Sequence, residues 1–185
     1  MKKTWIIVLA VVLLFVFWGV GSYNGLVSLN ESVNSKWSQI DNQLQRRADL
    51  IPNLVATVKG FASQEKGILD NIADARSRLV GAQGVADKAA ANDQLSSTLS
   101  RLLVVVENYP TLKSDANFRQ LQDELAGTEN RLAVARKDYN DSVQVYNAKI
   151  KTFPTSIWAG MLGFQTREYF QVDEKAKSVP QVDFK

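Results

Sequence analysis

The chain has 185 residues, with 22 lysines and arginines, 19 aspartates and glutamates, and neither cysteine nor histidine. This length allows one domain with a short appendage, and the missing cysteine excludes disulfides, thiolate nucleophiles and cysteine-ligated zinc. The missing histidine excludes Ser-His-Asp catalysis and removes the commonest general base and metal ligand.

An apolar N-terminal segment predicts a transmembrane helix. The 17 residues of Trp5–Gly21 carry no charge, and with their neighbours they reach about 20 residues, or about 30 Å of helix, which matches a bilayer core. Trp5 at one end, and Trp18 and Tyr23 at the other, are placed as aromatics at the two membrane interfaces. We therefore expect residues 1–22 to form a membrane anchor.

The same segment has a second interpretation as a cleaved signal peptide. Lys2 and Lys3 would form its charged region, and the small residues Gly19-Val20-Gly21 would form its cleavage site. Bulky aromatic residues lie close to that site, which favours an uncleaved anchor.

The positions of the basic residues predict the orientation of this anchor. Lys2 and Lys3 precede it, whereas no lysine or arginine follows it until Lys36. The positive-inside rule then places the N-terminus in the cytoplasm and the rest of the chain outside the bacterial inner membrane. Without these two lysines, 20 basic groups face 19 acidic ones, so we expect no nucleic-acid partner.

After the anchor, apolar residues recur at steps of three and four and predict an all-α fold. We predict helices over 23–82, 86–108 and 112–152, packed as an elongated antiparallel bundle. The third seam, from Phe118 to Phe153, keeps its spacing over about five heptads, as in coiled coils. We predict that the three helices end, in chain order, at Gly81-Ala-Gln-Gly84, at Asn108-Tyr-Pro110 and at Pro154.

Pro52 makes the first of these helices ambiguous. Proline removes a helical hydrogen bond, yet Leu44, Ile51 and Val58 keep a seven-residue step through it, which favours a kink over a break. If the first helix is continuous, the third helix extends about 27 Å beyond the end of the first helix. A second chain must then cover this overhang, the part of the third helix that has no neighbour in its own chain. If it breaks, four segments form an ordinary up-down bundle.

The C-terminal part of the chain contains a short apolar stretch and a tail. We predict that residues 155–166, which contain Ile157, Trp158 and Met161, form a short helix that caps the bundle. The alternative is a membrane-surface helix, which the lack of lysine and arginine there disfavours. The bundle domain then covers 23–170, and residues 171–185 form an extended tail.

Several specific motifs occur between residues 20 and 170. The main motif, over residues 23–60, comprises Tyr23-Asn24, Trp37, Gln43-Leu-Gln-Arg-Arg47, Asp49-Leu-Ile-Pro-Asn-Leu-Val55 and Val58-Lys-Gly60. Those in the second half are Glu107-Asn-Tyr-Pro110, Thr128-Glu-Asn130, Tyr139-Asn140, Tyr146-Asn147 and Gly163-Phe164. These motifs, in this order, resemble the LemA family.

This resemblance implies a bacterial membrane protein with a helical-bundle domain. It implies no enzymatic activity, because the family has none established. Some relatives are associated with the formation of intracellular membrane compartments, and others are encoded beside membrane proteases.

The main motif also contains a candidate interaction surface. Arg46, Arg47, Asp49 and Asn53 flank the seam around Pro52, and the two arginines offer forked donors to a carboxylate or phosphate. The alternative is a solvated helix face with a local pair between Arg46 and Asp49.

Two further patterns favour structural interpretations. Asp70 and Asp74, with Glu65 nearby, share a helix face and suggest a divalent cation, but Arg78 is placed to neutralise Asp74. Ser63-Gln-Glu-Lys66 matches the S-x-x-K pattern of acyl-transfer enzymes without its companion motifs.

Polar residues on the third seam raise the question of self-association. Tyr139 and Tyr146 are predicted to pack in the core or at its boundary, and each is followed by an asparagine. A polar seam residue of this kind can set register or oligomeric state.

We predict a single-pass membrane protein that acts as a scaffold or adaptor by protein–protein interaction, and not an enzyme. We expect no cofactor, metal or small-molecule substrate, and as partners a second copy of the chain, another membrane protein, or both. Two alternatives remain open, namely an enzyme that uses carboxylates or lysine alone, and a secreted structural protein.

Overall fold

The computed structural model describes residues 2–171, with side chains from residue 3 onward. Within this range it contains no strand, which confirms the predicted all-α fold. Gln171 is the one residue of the predicted tail that falls inside the described range. The helices are α1 (Lys2–Phe61), α2 (Lys66–Gly81), α3 (Gly84–Val106), α4 (Pro110–Ser114), α5 (Ala116–Lys151) and α6 (Thr155–Met161).

Helix α1 continues through Pro52 without a break. Proline has no N–H, so the carbonyl of Ala48, four residues earlier, loses its helical donor. The Arg76 side chain of α2 replaces that donor, with Nε 2.8 Å from the Ala48 oxygen. Because Ala48 is buried, an unpaired carbonyl there would be costly, and the arginine explains how the helix tolerates its proline.

The first bundle helix breaks at a place that the sequence analysis did not predict. The continuous helix expected over 23–82 ends at Phe61, and α2 begins at Lys66. The turn that connects α1 and α2 is stabilised by Tyr109, which lies elsewhere in the chain. Its hydroxyl donates to Glu65 Oε1 at 2.8 Å and accepts from Gln64 Nε2 at 3.0 Å. The helix therefore continues through Pro52, but it does not extend to residue 82 as the continuous alternative required. The predicted turn after Gly81 is confirmed.

The chain forms two compact units. Among the described residues, one comprises α1 up to Ser38 together with Lys137–Glu168, and the other comprises Gln39–Arg136 and residues 169–171. We refer to them as the anchor unit and the bundle unit.

In the anchor unit, α1 packs on the C-terminal part of α5. The rings of Trp37 and Tyr139 lie 5.4 Å apart, and Lys36 pairs with Asp138 at 3.0 Å. Tyr146 is buried as well. The seam of α5 is thus covered here by the chain's own first helix, and the overhang that would have needed a second chain does not arise.

An extended segment, residues 164–168, follows α6 in the anchor unit, and we call it the strap. Asn147 on α5 holds it by two hydrogen bonds, since its Nδ2 donates to the Arg167 carbonyl and its Oδ1 accepts from the Arg167 N–H, each at 2.8 Å. The Nη2 of the Arg167 side chain donates a hydrogen bond to Asn34 Oδ1 on α1 at 2.6 Å. An asparagine expected to set register therefore binds this chain's own backbone.

In the bundle unit, α1 and α5 run antiparallel, because Gln43 accepts from Arg131 while Arg46 lies near Glu124. The seams predicted from the periodicity supply most of the core. The buried members of the first two seams in this unit are Ile40, Leu44, Ile51, Val58, Ala62, Leu69, Ile72, Ala75, Leu79, Leu95, Leu99, Leu102 and Val106.

Candidate functional site

The N-terminal third of α1 presents an uncovered apolar surface. Its large side chains are exposed, reaching 75% at Trp5 and 82% at Phe17, and the segment is long and apolar enough to cross a membrane. The same helix continues without interruption to Leu26, which is fully buried in the anchor unit. The candidate membrane span and a core helix are therefore one element.

The predicted membrane-interface residues lie at both ends of this surface. Trp5 and Lys3 are exposed at the start, while Trp18 and Tyr23 are 38% and 45% exposed near its other end. Lys2 begins the helix. Trp18 and Tyr23 differ from Trp5 in having aromatic partners from the C-terminal part of the chain.

Those partners form what we call the aromatic clasp, which brings α6 and the residues after it onto α1. Trp158 is its centre, with its ring 4.8 Å from that of Phe15 and 6.4 Å from that of Trp18. Phe164 packs edge-on against Tyr23 at 5.9 Å. The capping helix predicted over 155–166 is shorter in the structure, and it contacts the apolar part of α1.

Gly19 provides the space for this contact. A Cβ atom at Gly19 would lie 2.8 Å from the Trp158 ring, closer than carbon atoms pack. At Gly21, one half-turn further, a Cβ atom would meet nothing within 4 Å. The close approach of α6 to α1 thus requires glycine at position 19 in particular.

The four residues predicted as an interaction surface are placed on different faces of α1. Arg46, Asp49 and Asn53 are exposed, and Arg47 is only 5% exposed. Asp49 accepts from Gln45 at 2.8 Å instead of pairing with Arg46. The structure therefore does not bring the two arginines together as one fork.

Arg47 instead belongs to a buried polar cluster of the bundle unit. Its Nη1 donates to Asn92 Oδ1 on α3 at 2.8 Å and to the carboxylate of Glu129 on α5, and Arg136 Nη1 lies 3.9 Å from the same carboxylate. Burial lowers the pKa of the Arg47 guanidinium, while the Glu129 charge acts in the opposite direction. The Glu129 carboxylate thus offsets part of the cost of burying this guanidinium.

The cluster has donors left over. Arg47 Nε and Asn92 Nδ2 are buried and have no hydrogen-bond partner among the described residues. Buried donors of this kind are uncommon in folded proteins. Arg47 also lines an open groove of the bundle unit.

This groove, which we call the α3–α5 groove, runs between those two helices with α1 as its floor. It encloses about 600 Å³. Its lining is mostly leucine and small side chains, and the predicted seam of α5 is only half-buried at Leu121 and Leu125 nearby. The residues that line it are Arg47, Leu54, Ser96, Leu99, Ser100, Leu102, Leu103, Gln122, Asp123, Leu125, Ala126 and Glu129.

The remaining candidates stay apart from both surfaces. Ser63 and Lys66 are exposed at the turn between α1 and α2, and Asp70 and Asp74 are exposed on α2. No group of three acidic residues among the described side chains is placed to hold a metal ion.

Sequence reasoning missed several residues that the structure makes important. Asn92, Glu129 and Arg76 show no periodic signal, because each acts through a partner far away in the chain. Gly19 was considered only as part of a cleavage site. One signal was available for the missed turn, since Gly60 and Gly67 flank it on both sides.

Comparison with known proteins points to one family. A profile of the LemA family matches residues 36–184. Magnetosome protein MamQ 1 of Paramagnetospirillum magneticum is 30% identical over 175 residues, covering 80% of this chain and 64% of that protein. Protein LemA of Metamycoplasma hominis is 26% identical over 164 residues, covering 87% and 74%. This chain thus spans 64% of the length of the MamQ relative.

Proposed function

The chain belongs to the LemA family, and on that premise we propose that it is a membrane-anchored scaffold whose helical bundle binds other proteins. One observation carries the proposal, namely that a single helix joins an uncovered apolar surface to a packed core. The exposed fractions of its large apolar side chains up to Val20 lie between 38% and 82%. Contiguous apolar surface on this scale indicates a lipid or protein contact.

We propose that the apolar segment spans the bacterial inner membrane with its N-terminus in the cytoplasm. Lys2 and Lys3 precede the span and Lys36 is the next basic residue, which is the asymmetry of the positive-inside rule. The aromatic clasp supports an uncleaved anchor, because cleavage after Gly21 would remove Phe15, Trp18 and Gly19 from beneath Trp158.

We propose that the α3–α5 groove receives an amphipathic helix from another protein. Leu99 and Leu103 on α3 line the groove at a spacing of four residues, as do Gln122 and Ala126 on α5. Rows of this spacing form the ridges against which another helix packs. Ser100 lies on the wall, and small side chains there allow close approach.

A comparison of two serines on α3 tests this docking site. Ser100 lines the groove, whereas Ser97 is exposed on the same helix outside it. The chain has no cysteine, so Ser100→Cys and Ser97→Cys carry single thiol-linked photo-crosslinkers. In native membranes we expect a discrete protein adduct from position 100 and none from position 97.

A third variant makes the result specific to the groove. Leu103 is 46% exposed, so Leu103→Asp in the Ser100→Cys background adds a charge to the wall with little change in thermal unfolding. The adduct should then disappear. Equal adducts from positions 97 and 100, or an adduct that survives Leu103→Asp, would contradict binding in the groove.

We further propose that the protein takes part in membrane organisation. The support is the family resemblance together with two similar proteins that are named as magnetosome proteins. The exposed positions of Ser63, Lys66, Asp70 and Asp74 support a binding function over catalysis, which normally uses converging groups in a pocket.

The same thiol chemistry tests the orientation. A membrane-impermeant maleimide added to intact cells should label Ser97→Cys in the exposed part of α3. Labelling only after cell lysis would place the bundle in the cytoplasm and reverse the orientation, while leaving the anchor itself in place.

A further inference from the structure

The aromatic clasp fixes the position of α6 along the candidate membrane span. Trp158 contacts Phe15 and Trp18 and sits on Gly19, all of which lie inside the uncharged run of α1. Gly19 precedes Tyr23 by four residues, or about 6 Å along the helix axis. A segment in contact with these residues lies at the same depth as they do.

The outer surface of this segment is apolar. Its large apolar side chains are exposed, by 76% at Phe153, 44% at Ile157, 73% at Met161 and 47% at Leu162. The chain carries no charged residue between Lys151 and Arg167. A surface of this composition is expected to be covered, and it is continuous with the exposed apolar surface of α1.

The space between the two helices has the same character. An apolar crevice of about 500 Å³ is lined by Val16, Gly19, Val20, Tyr23, Trp158 and Leu162. The indole Nε1 of Trp158 is buried and has no acceptor among the described residues.

We propose that residues 153–164 form a second membrane-contacting element, which lies in the lipid interface beside the span on the side where α1 leaves the membrane. The expected depth of about 6 Å agrees with the 5–10 Å to which interfacial helices bury their apolar faces. The crevice is then filled by lipid acyl chains. This inference rests on the proposed membrane anchor.

The lack of basic residues does not argue against this role. Free amphipathic helices need lysine or arginine to attract anionic lipid, whereas α6 is delivered to the interface by its covalent connection to α5 and its contact with Gly19. A surface held in place by the protein requires apolar area alone.

Spin-label accessibility in the full chain tests the proposal. Single labels are placed at Ile157→Cys and Met161→Cys, with Leu13→Cys in the span and Ser97→Cys in the bundle as references. The protein is reconstituted in phosphatidylethanolamine–phosphatidylglycerol vesicles, and collisions with oxygen and with a water-soluble nickel chelate are compared. We expect the oxygen-to-nickel ratios at 157 and 161 to exceed that at 97 several-fold and to approach that at 13.

The glycine positions give a matched pair of variants. Gly19→Leu places a side chain where the Trp158 ring lies, whereas Gly21→Leu enters open space. In the Met161→Cys background, Gly19→Leu should lower the oxygen-to-nickel ratio at 161 towards the aqueous value. Gly21→Leu should leave that ratio unchanged, and the ratio at 13 should be unchanged in both variants.

The outcomes separate this inference from the function on which it rests. If the ratio at 13 is that of lipid while those at 157 and 161 match position 97, or if both reagents fail to reach them, α6 does not contact lipid and only the inference fails. An aqueous ratio at 13 would overturn the proposed anchor as well. Equal effects of the two glycine variants would contradict the role of the clasp.

Discussion

The burial of Arg47 shows how one side chain can link three helices. It lies on α1, and its guanidinium reaches Asn92 on α3 and Glu129 on α5. Such pairs seldom add much stability compared with a well-packed apolar alternative, yet breaking them is costly. The cluster thus ties α1, α3 and α5 together through groups whose separate removal would be costly.

Two variants separate the cost of an unpaired group from the value of the pair. Arg47→Met leaves the Oδ1 of the fully buried Asn92 without its hydrogen-bond donor, and we expect it to lose about 1–3 kcal/mol of unfolding free energy. Arg47→Met with Asn92→Leu removes both groups and should recover most of that loss. Urea unfolding in detergent micelles measures both. A double variant less stable than the single one would contradict this account.

Pro52 and Arg76 give a second prediction at the scale of single residues. Arg76→Met removes the donor to the buried Ala48 carbonyl, at a cost of about 1–3 kcal/mol. Pro52→Ala restores the helical N–H and makes the arginine dispensable, so Arg76→Met should cost much less in the Pro52→Ala background. A double-mutant cycle by thermal unfolding tests this coupling, and additive effects would contradict it.

Among the helices, α5 joins the core of the anchor unit to the strap through two tyrosines and an asparagine. The Tyr139 hydroxyl donates to the Glu168 carbonyl at 2.8 Å, and Tyr146 is buried one heptad further along. Burial raises the pKa of both hydroxyls, and Arg167 acts in the opposite direction. The seam thus favours neutral tyrosine.

These pKa directions predict a loss of stability in alkaline solution. The unfolded chain ionises tyrosine near pH 10, whereas the folded chain holds the proton to higher pH. The stabilisation is therefore complete below about pH 10 and decreases as the pH rises towards the folded pKa. Unfolding by urea at pH 8 and pH 11 should show a smaller decrease for Tyr139→Phe with Tyr146→Phe than for the wild type. An equal decrease would exclude these tyrosines as its source.

At the scale of the whole molecule, α1 couples a membrane span to a folded domain within a single helix. Such a protein should stay in the membrane fraction after extraction with alkaline carbonate. Leu9→Arg with Leu13→Arg should reduce insertion, since each arginine near the centre of a span costs about 2.5–3.5 kcal/mol on insertion scales. Ser97→Arg with Ser100→Arg adds the same charge outside the span and should leave the fractionation unchanged.

The comparison of prediction and structure separates local from long-range causes. The periodicity predicted the helices, most of the core seams and the turn after Gly81, because burying one face of a helix requires apolar residues at a regular local spacing. It missed the break between Phe61 and Lys66, because the turn before α2 is held by Tyr109, 44 residues from Glu65. The candidate surface around Arg46 and Arg47 was likewise chosen by adjacency in sequence, and only the fold shows that Arg47 is buried.

The amino-acid sequence by itself determined that this protein is helical, that it carries a candidate membrane span and that it belongs to the LemA family. Composition and periodicity suffice for the first two because they report the solvent that each residue faces, whereas the family is identified by the sequence motifs and the profile match. The tertiary structure decided that Arg76 completes the helix at Pro52, that Arg47 is buried, that a groove opens between α3 and α5, and that Trp158 rests on Gly19. Each of these depends on contacts between residues that are far apart in the sequence and meet only after folding. The spacing of neighbouring residues does not identify such distant partners.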